Sequence, residues 1–178
     1  MSQIIDFEHG GEVDLSPDVF PKHVRAGKNV KIRRGTNLFG SPGRPIVMGD
    51  DIYVNSRCEL HGGSAQLTLG NRVTLAVGVV IHTDSGPNTS PLLQKEYPIT
   101  PGAVSIEDDV WIGDYAVIMP GVTIGHGSVV GAHSIVKANV DPHTVVARIV
   151  QDGKSFPIRA LPAQRNVCSI CRSEEGRR

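Results

Sequence analysis

From Val104 the chain repeats every six residues, as VSIEDD, VWIGDY, AVIMPG, VTIGHG, SVVGAH and SIVKAN. The third position of each hexad is aliphatic: Ile106, Ile112, Ile118, Ile124, Val130 and Val136. The first position is small or β-branched: Val104, Val110, Ala116, Val122, Ser128 and Ser134. This spacing fits neither a helical period nor the unbroken alternation of a hairpin. Two apolar positions two residues apart share one face of a short strand. The Gly, Asp and Asn that follow suit a turn. Three hexads make one triangular coil, and successive coils stack their Ile and Val in columns. Each coil buries its apolar face only against its neighbours, so the stack must be long and capped.

The pattern extends upstream. LTLGNR, VTLAVG and VVIHTD run from Leu67 to Asp84, IVMGDD, IYVNSR and CELHGG run from Ile46 to Gly63, and VRAGKN and VKIRRG start at Val24 and Val30. Three stretches interrupt it: Thr36–Pro45, Ser64–Gln66 and Ser85–Ala103. The longest carries Pro87, Pro91, Pro98 and Pro101, so it cannot continue the strands. A long loop leaving a regular solenoid points to function. The expected organisation is an N-terminal segment 1–23, a β-helix 24–147 with an excursion loop 85–103, and a C-terminal segment with a flexible tail 148–178.

Composition agrees with a narrow prism. Of 178 residues, 39% are hydrophobic but only 4% aromatic, as a bore filled by Ile and Val columns requires. Lys plus Arg and Asp plus Glu are 18 each, which argues against a dedicated nucleic-acid or membrane-surface binder. The balance hides a basic run (Lys22, Arg25, Lys28, Lys31, Arg33, Arg34) that either draws an anionic ligand or is the solvated outer face of the first coils. No apolar run is long enough to span a membrane, and MSQIIDFEHGGEVD lacks the basic flank and apolar core of a signal peptide. Cys58, Cys168 and Cys171 make no disulfide framework, so the chain reads as cytoplasmic. Cys58 falls on a core position. The lone Cys168-Ser-Ile-Cys171 has no second pair with which to hold zinc, and no metal site is expected.

The run VSIEDDVWIGDYAVIMPGVTIGHGSVVGAHSIV resembles the hexapeptide-repeat acyltransferases, in particular the subgroup of maltose and galactoside O-acetyltransferases and xenobiotic acetyltransferases. The resemblance covers roughly Val24 to Val146. It implies an all-β, left-handed parallel β-helix, an exception to the right-handed crossover rule. It also implies homotrimers, acetyl-coenzyme A bound in a groove between neighbouring prisms, no metal, and one catalytic His beside the excursion loop.

Acyl transfer from a thioester to a hydroxyl or amine needs a general base near neutral pKa. Seven His are present: His9, His23, His61, His82, His126, His133 and His143. The resemblance places the base in the coil just before the long loop, where His82 is the only His between positions 62 and 125; His61 is the fallback. The plain alternative is a surface His on a coil corner. Asp84 would fix the tautomer of His82, or cap a turn. IYVNS resembles a galactoside acetyltransferase segment in which a Tyr and an Asn line the acceptor pocket. Tyr53 and Asn55 stand there, unless Asn55 serves the turn and Tyr53 a flat face. Trp111, the single Trp, points outward between core positions. The resemblance sets it beside the thioester arm; packing under the loop or in the trimer interface is the other reading. Gly113, Asp114, Ala132 and Lys137 match positions near the coenzyme arm.

The chain departs from the family pattern after the last coil. VVARIVQDGKSFPIRALPAQRN stands where a Gly-Asn-Pro-Ala segment and a basic helix are usual, and Lys137 is displaced by one position. Arg148, Lys154, Arg159 and Arg165 either meet phosphate there or are solvated charges. The expected function is acetyl transfer to a sugar, nucleotide sugar, polysaccharide or xenobiotic. A non-catalytic scaffold and a γ-carbonic-anhydrase-like metalloenzyme are the rival classes; the latter has a His pair five apart, whereas His126 and His133 are seven apart.

Overall fold

The structure, a computed structural model, describes the backbone of residues 5–7, 13–15, 20–151, 154–157 and 161–162, and side chains from 21 to 147. His9, Arg159, Arg165, the CxxC pair and the RSEEGRR tail lie outside the described residues, as do the side chains of Arg148 and Lys154.

Short strands wind in sequence order through three faces. The first coil is β1 (Ile5–Phe7), β2 (Val13–Leu15) and β3 (Phe20–Lys22). The second is β4 (Val24–Ala26), β5 (Val30–Ile32) and β6 (Asn37–Phe39). The third is β7 (Ile46–Met48), β8 (Tyr53–Val54) and β9 (Glu59–His61). The fourth is β10 (Leu67–Leu69), β11 (Thr74–Leu75) and β12 (Val80–His82). The excursion loop follows, carrying α1 (Pro91–Glu96). The fifth is β13 (Val104–Ile106), β14 (Trp111–Ile112) and β15 (Val117–Ile118). The sixth is β16 (Thr123–Ile124), β17 (Val129–Val130) and β18 (Ile135–Val136). β19 (Thr144–Val146) extends the second face by one further strand, and β20 (Arg148–Gln151), β21 (Lys154–Pro157) and β22 (Leu161–Pro162) follow.

From β1 to β18 every third strand pairs in parallel, and β19 joins β17, giving sheets β1-β4-β7-β10-β13-β16, β2-β5-β8-β11-β14-β17-β19 with β22 added antiparallel, and β18-β15-β12-β9-β6-β3. This is the architecture of the left-handed parallel β-helices, and the register explains the hexads. On the second sheet Ile32, Val54, Leu75, Ile112, Val130 and Val146 form one column. Leu38, Leu60, Ile81, Ile118 and Val136 form another on the third sheet. All but Val146 are buried, and Val146 packs against them. Each buried aliphatic side chain contributes about 1.5–3 kcal/mol.

Thr36–Pro45 is not the full interruption the hexad pattern suggested. Thr36 and Leu38 occupy the first and third positions of a regular hexad and are fully buried. The Thr36 hydroxyl donates to the Asn55 carbonyl (2.9 Å) and accepts from the Cys58 amide (3.2 Å), so a polar residue fits the first position without an unmet hydrogen bond. Only the stretch after Phe39 leaves the coil. Strands β1, β2 and β3 carry the same parallel register upstream of Val24.

The turn residues have equally local reasons. Along one edge each coil's Asx side chain accepts the backbone N–H of the coil before it: Lys28 to Asp50 (2.7 Å), Asp50 to Asn71 (2.9 Å), Asn71 to Asp108 (2.8 Å). The Asn71 bonds hold the Asp108 carboxyl below the usual carboxylate range. Along the next edge Gly78 adopts φ +67°, and a Cβ there would sit 2.6 Å from the Tyr115 ring, so glycine lets that ring lie over the turn. Among the described residues no helix is long and apolar enough to cross a membrane.

Candidate functional site

His82 closes β12 and is the last strand residue before the excursion loop. Ile81 points into the bore, so His82 points out, half-buried. Its coil neighbours are set by register: His61 of β9 lies directly beside it, and Phe39 of β6 beside His61. The rings form a column, with centroids 4.8 Å apart for His61–His82 and 4.9 Å for Phe39–His61. On the far side, one step past the β12–β15 pairing, stands Met119, and one step past β15–β18 stands Lys137. His82 and Lys137 therefore share one face, two coils apart.

The loop is pinned at its root. Thr83 takes the next inward position and is buried; its hydroxyl donates to the His61 carbonyl (3.0 Å) and accepts from the Ala65 amide (3.3 Å). The Gly102 amide donates to the Thr83 carbonyl (2.8 Å), closing the excursion against the strand it left. Ser90 caps α1 by accepting from the Leu93 amide (3.2 Å), with Pro91 following it in the first turn. The Asp84 carboxylate accepts a hydrogen bond from the Ser64 hydroxyl. Burial and the neighbouring His61 hold the His82 imidazolium less stable than usual, opposed by Asp84 and Glu59, so the net pKa lies below the ordinary histidine value. A neutral imidazole with a free acceptor nitrogen is the form a general base requires.

Tyr53 and Trp111 lie on a different face. Both project from the second sheet, with Thr74 between them in register. Trp111 is 50% exposed, an outward Trp as its position between core residues requires. The Arg33 guanidinium lies 5.5 Å from the Tyr53 ring centroid. Asn55, Gly113, Asp114 and Ala132 sit on the edge joining the second and third sheets. There the Asn55 side chain accepts from the Ser56 amide (2.8 Å) and Asp114 accepts from the Val77 amide (2.9 Å), both as turn caps. A Cβ on Gly113 would lie 2.6 Å from the Ala132 amide, so close coil stacking requires glycine. Within one chain the structure thus puts His82 and Lys137 on one face and Tyr53 and Trp111 on another, each pair two coils apart.

Sequence reasoning gave His61 only as a fallback and missed Thr83 and Met119. The signal for His61 is present: TNLFGS, CELHGG and VVIHTD carry Phe39, His61 and His82 at the same hexad position, which stacks them. His126 and His133 lie on different edges of the prism, His126 against His143 (4.6 Å) and His133 against Tyr115 (5.3 Å).

Residues 103–138 match the family model of the bacterial transferase hexapeptide, six repeats long. The resemblance to hexapeptide-repeat transferases holds. The chain is 34% identical over 99 residues to a chloramphenicol acetyltransferase of Escherichia coli, covering 54% of this chain and 47% of the relative. It is 35% identical over 120 residues to a galactoside O-acetyltransferase of Lactococcus lactis, covering 64% and 56%. The chain spans about half the length of the curated relatives it matches. Among solved structures, a hexapeptide-repeat-containing acetyltransferase from Vibrio cholerae matches at 32% identity and TM-score 0.53, over 65% of this chain and 62% of that one. An N-acyltransferase from Bacillus cereus, solved with dTDP and 3-hydroxybutyryl-CoA, shares the fold at TM-score 0.67 and 22% identity over 88% and 82%.

Proposed function

We propose that the protein is an acetyl-coenzyme A-dependent acetyltransferase with His82 as its general base. The observation that carries this reading is the placement of His82: half-buried, outward, at the root of the long excursion loop, and with its pKa held below the ordinary value. The named acetyltransferase activities of the relatives support it. His82 takes the proton from an acceptor hydroxyl or amine as that atom forms its bond to the acetyl carbon. The thioester supplies an activated acyl group. When its C–S bond breaks, the leaving thiolate takes the proton from His82, so the imidazole ends neutral.

The assembly is a homotrimer. The upper coils expose Trp111 on one face and Ile135 on the next, and the site residues divide between the same two faces. Packing the second sheet of one copy against the third sheet of another sets Trp111 and Tyr53 opposite His82 and Lys137. Gly113 and Ala132 leave room at the edge for a pantetheine arm, with the Trp111 indole as its apolar wall. The acceptor is a hydroxyl or amine of a sugar, a nucleotide sugar or a xenobiotic, and the protein acts in the cytoplasm. The test is incubation with acetyl-coenzyme A and a panel of these acceptors, read by mass spectrometry. One acceptor gaining a single acetyl group supports the reading. Coenzyme A binding by none of the preparations favours a scaffold.

A further inference from the structure

Two histidines, His61 and His82, stand in one column on the outer face of the third sheet. Their rings are 4.8 Å apart with planes tilted 36°, and Phe39 supports His61 from below at 4.9 Å. His61 is itself anchored: its Nε2 lies 3.3 Å from Glu59 Oε2, while Glu59 Oε1 accepts from Asn37 Nδ2 at 2.6 Å.

Resting on the reading of His82 as the base, we propose that His61, anchored by Glu59, is a positioning residue that fixes the His82 ring and couples its protonation to the Glu59–His61 pair. The contact between Nε2 and Glu59 Oε2 fixes the His61 ring beside that of His82. The His82 imidazolium forms as the acceptor loses its proton. A protonated His61 sets two like charges in contact and opposes it. The other groups facing His82 are Asp84, beyond it on the chain and held by Ser64, and Lys137, past Met119 in the same column. The charges of His61 and Glu59 act on His82 in opposite directions, His61 lowering and Glu59 raising its proton affinity.

The test uses the full chain. The His82 imidazole is titrated by NMR in wild type, His61→Phe and Glu59→Gln, beside kcat and KM against pH. His61→Phe keeps a ring in the stack and removes the charge; Glu59→Gln keeps the shape and removes the anion. The expected result is a His82 midpoint raised in His61→Phe and lowered in Glu59→Gln. His61→Ala, which removes the support, lowers kcat about tenfold with KM unchanged, through lost orientation. An unmoved His82 midpoint in both charge variants overturns the coupling and leaves His61 as packing. The NMR titration needs no turnover, so it decides this point even where His82→Ala retains activity and the base reading itself falls.

Discussion

Ser134 occupies a first hexad position, where its side chain is buried and its hydroxyl has no hydrogen-bond partner among the described residues. Ser128 and Thr36 occupy the same position on other coils but are satisfied, Ser128 by donating to the Asp141 carbonyl at 2.9 Å. An unmet buried hydroxyl costs about 1–3 kcal/mol, so Ser134→Ala is expected to raise stability by about 1 kcal/mol in a urea melt. Cys58 is the opposite case: burial pushes its thiol up to about 11, and its Sγ lies 3.1 Å from the Ala76 carbonyl. In a chain with Cys168 and Cys171 changed to Ser, native Cys58 should resist alkylation at pH 8 and react once unfolded. For His82 the sign follows from its lowered pKa. The neutral form, which the proposed mechanism needs, persists below the ordinary value of 6.5, and activity is expected to be lost as pH falls through the lower folded-state value. The acid limb of kcat/KM should therefore fall below pH 6.5.

At the scale of the strand and turn, the hexads carried nearly all of the architecture. Val104, Ile106 and their successors are the buried positions, and the Pro-rich stretch is the excursion. Two things were illegible for physical reasons. Thr36 resembled a break because a polar residue at a core position is acceptable only once its partners, Asn55 and Cys58 from the neighbouring coil, are known. The short helix Pro91–Glu96 has no buried residue, so no apolar period announces it; only Ser90 before Pro91 marks its start. The candidate site was legible as positions but not as a grouping. A hexad repeat states which residues point outward. It takes the register of whole coils to show that His82 stacks on His61, and that Trp111 stands on another face.

For the molecule as a whole, the proposed function needs an assembly, because the candidate site residues divide between two faces. A trimer built on the second and third sheets predicts three times the chain mass in light scattering, and Ile135→Glu, placing a charge on a side chain 60% exposed in the single chain, should yield monomers with little activity. A wild-type protein that stays monomeric would contradict that assembly. The most direct test of the central claim is the initial rate of thiol release from acetyl-coenzyme A, with an acceptor that wild type acetylates, for wild type and for His82→Ala. A loss of about 10²–10⁴-fold in kcat is expected in the variant, with its fold and assembly intact. An unchanged rate in His82→Ala would contradict that claim.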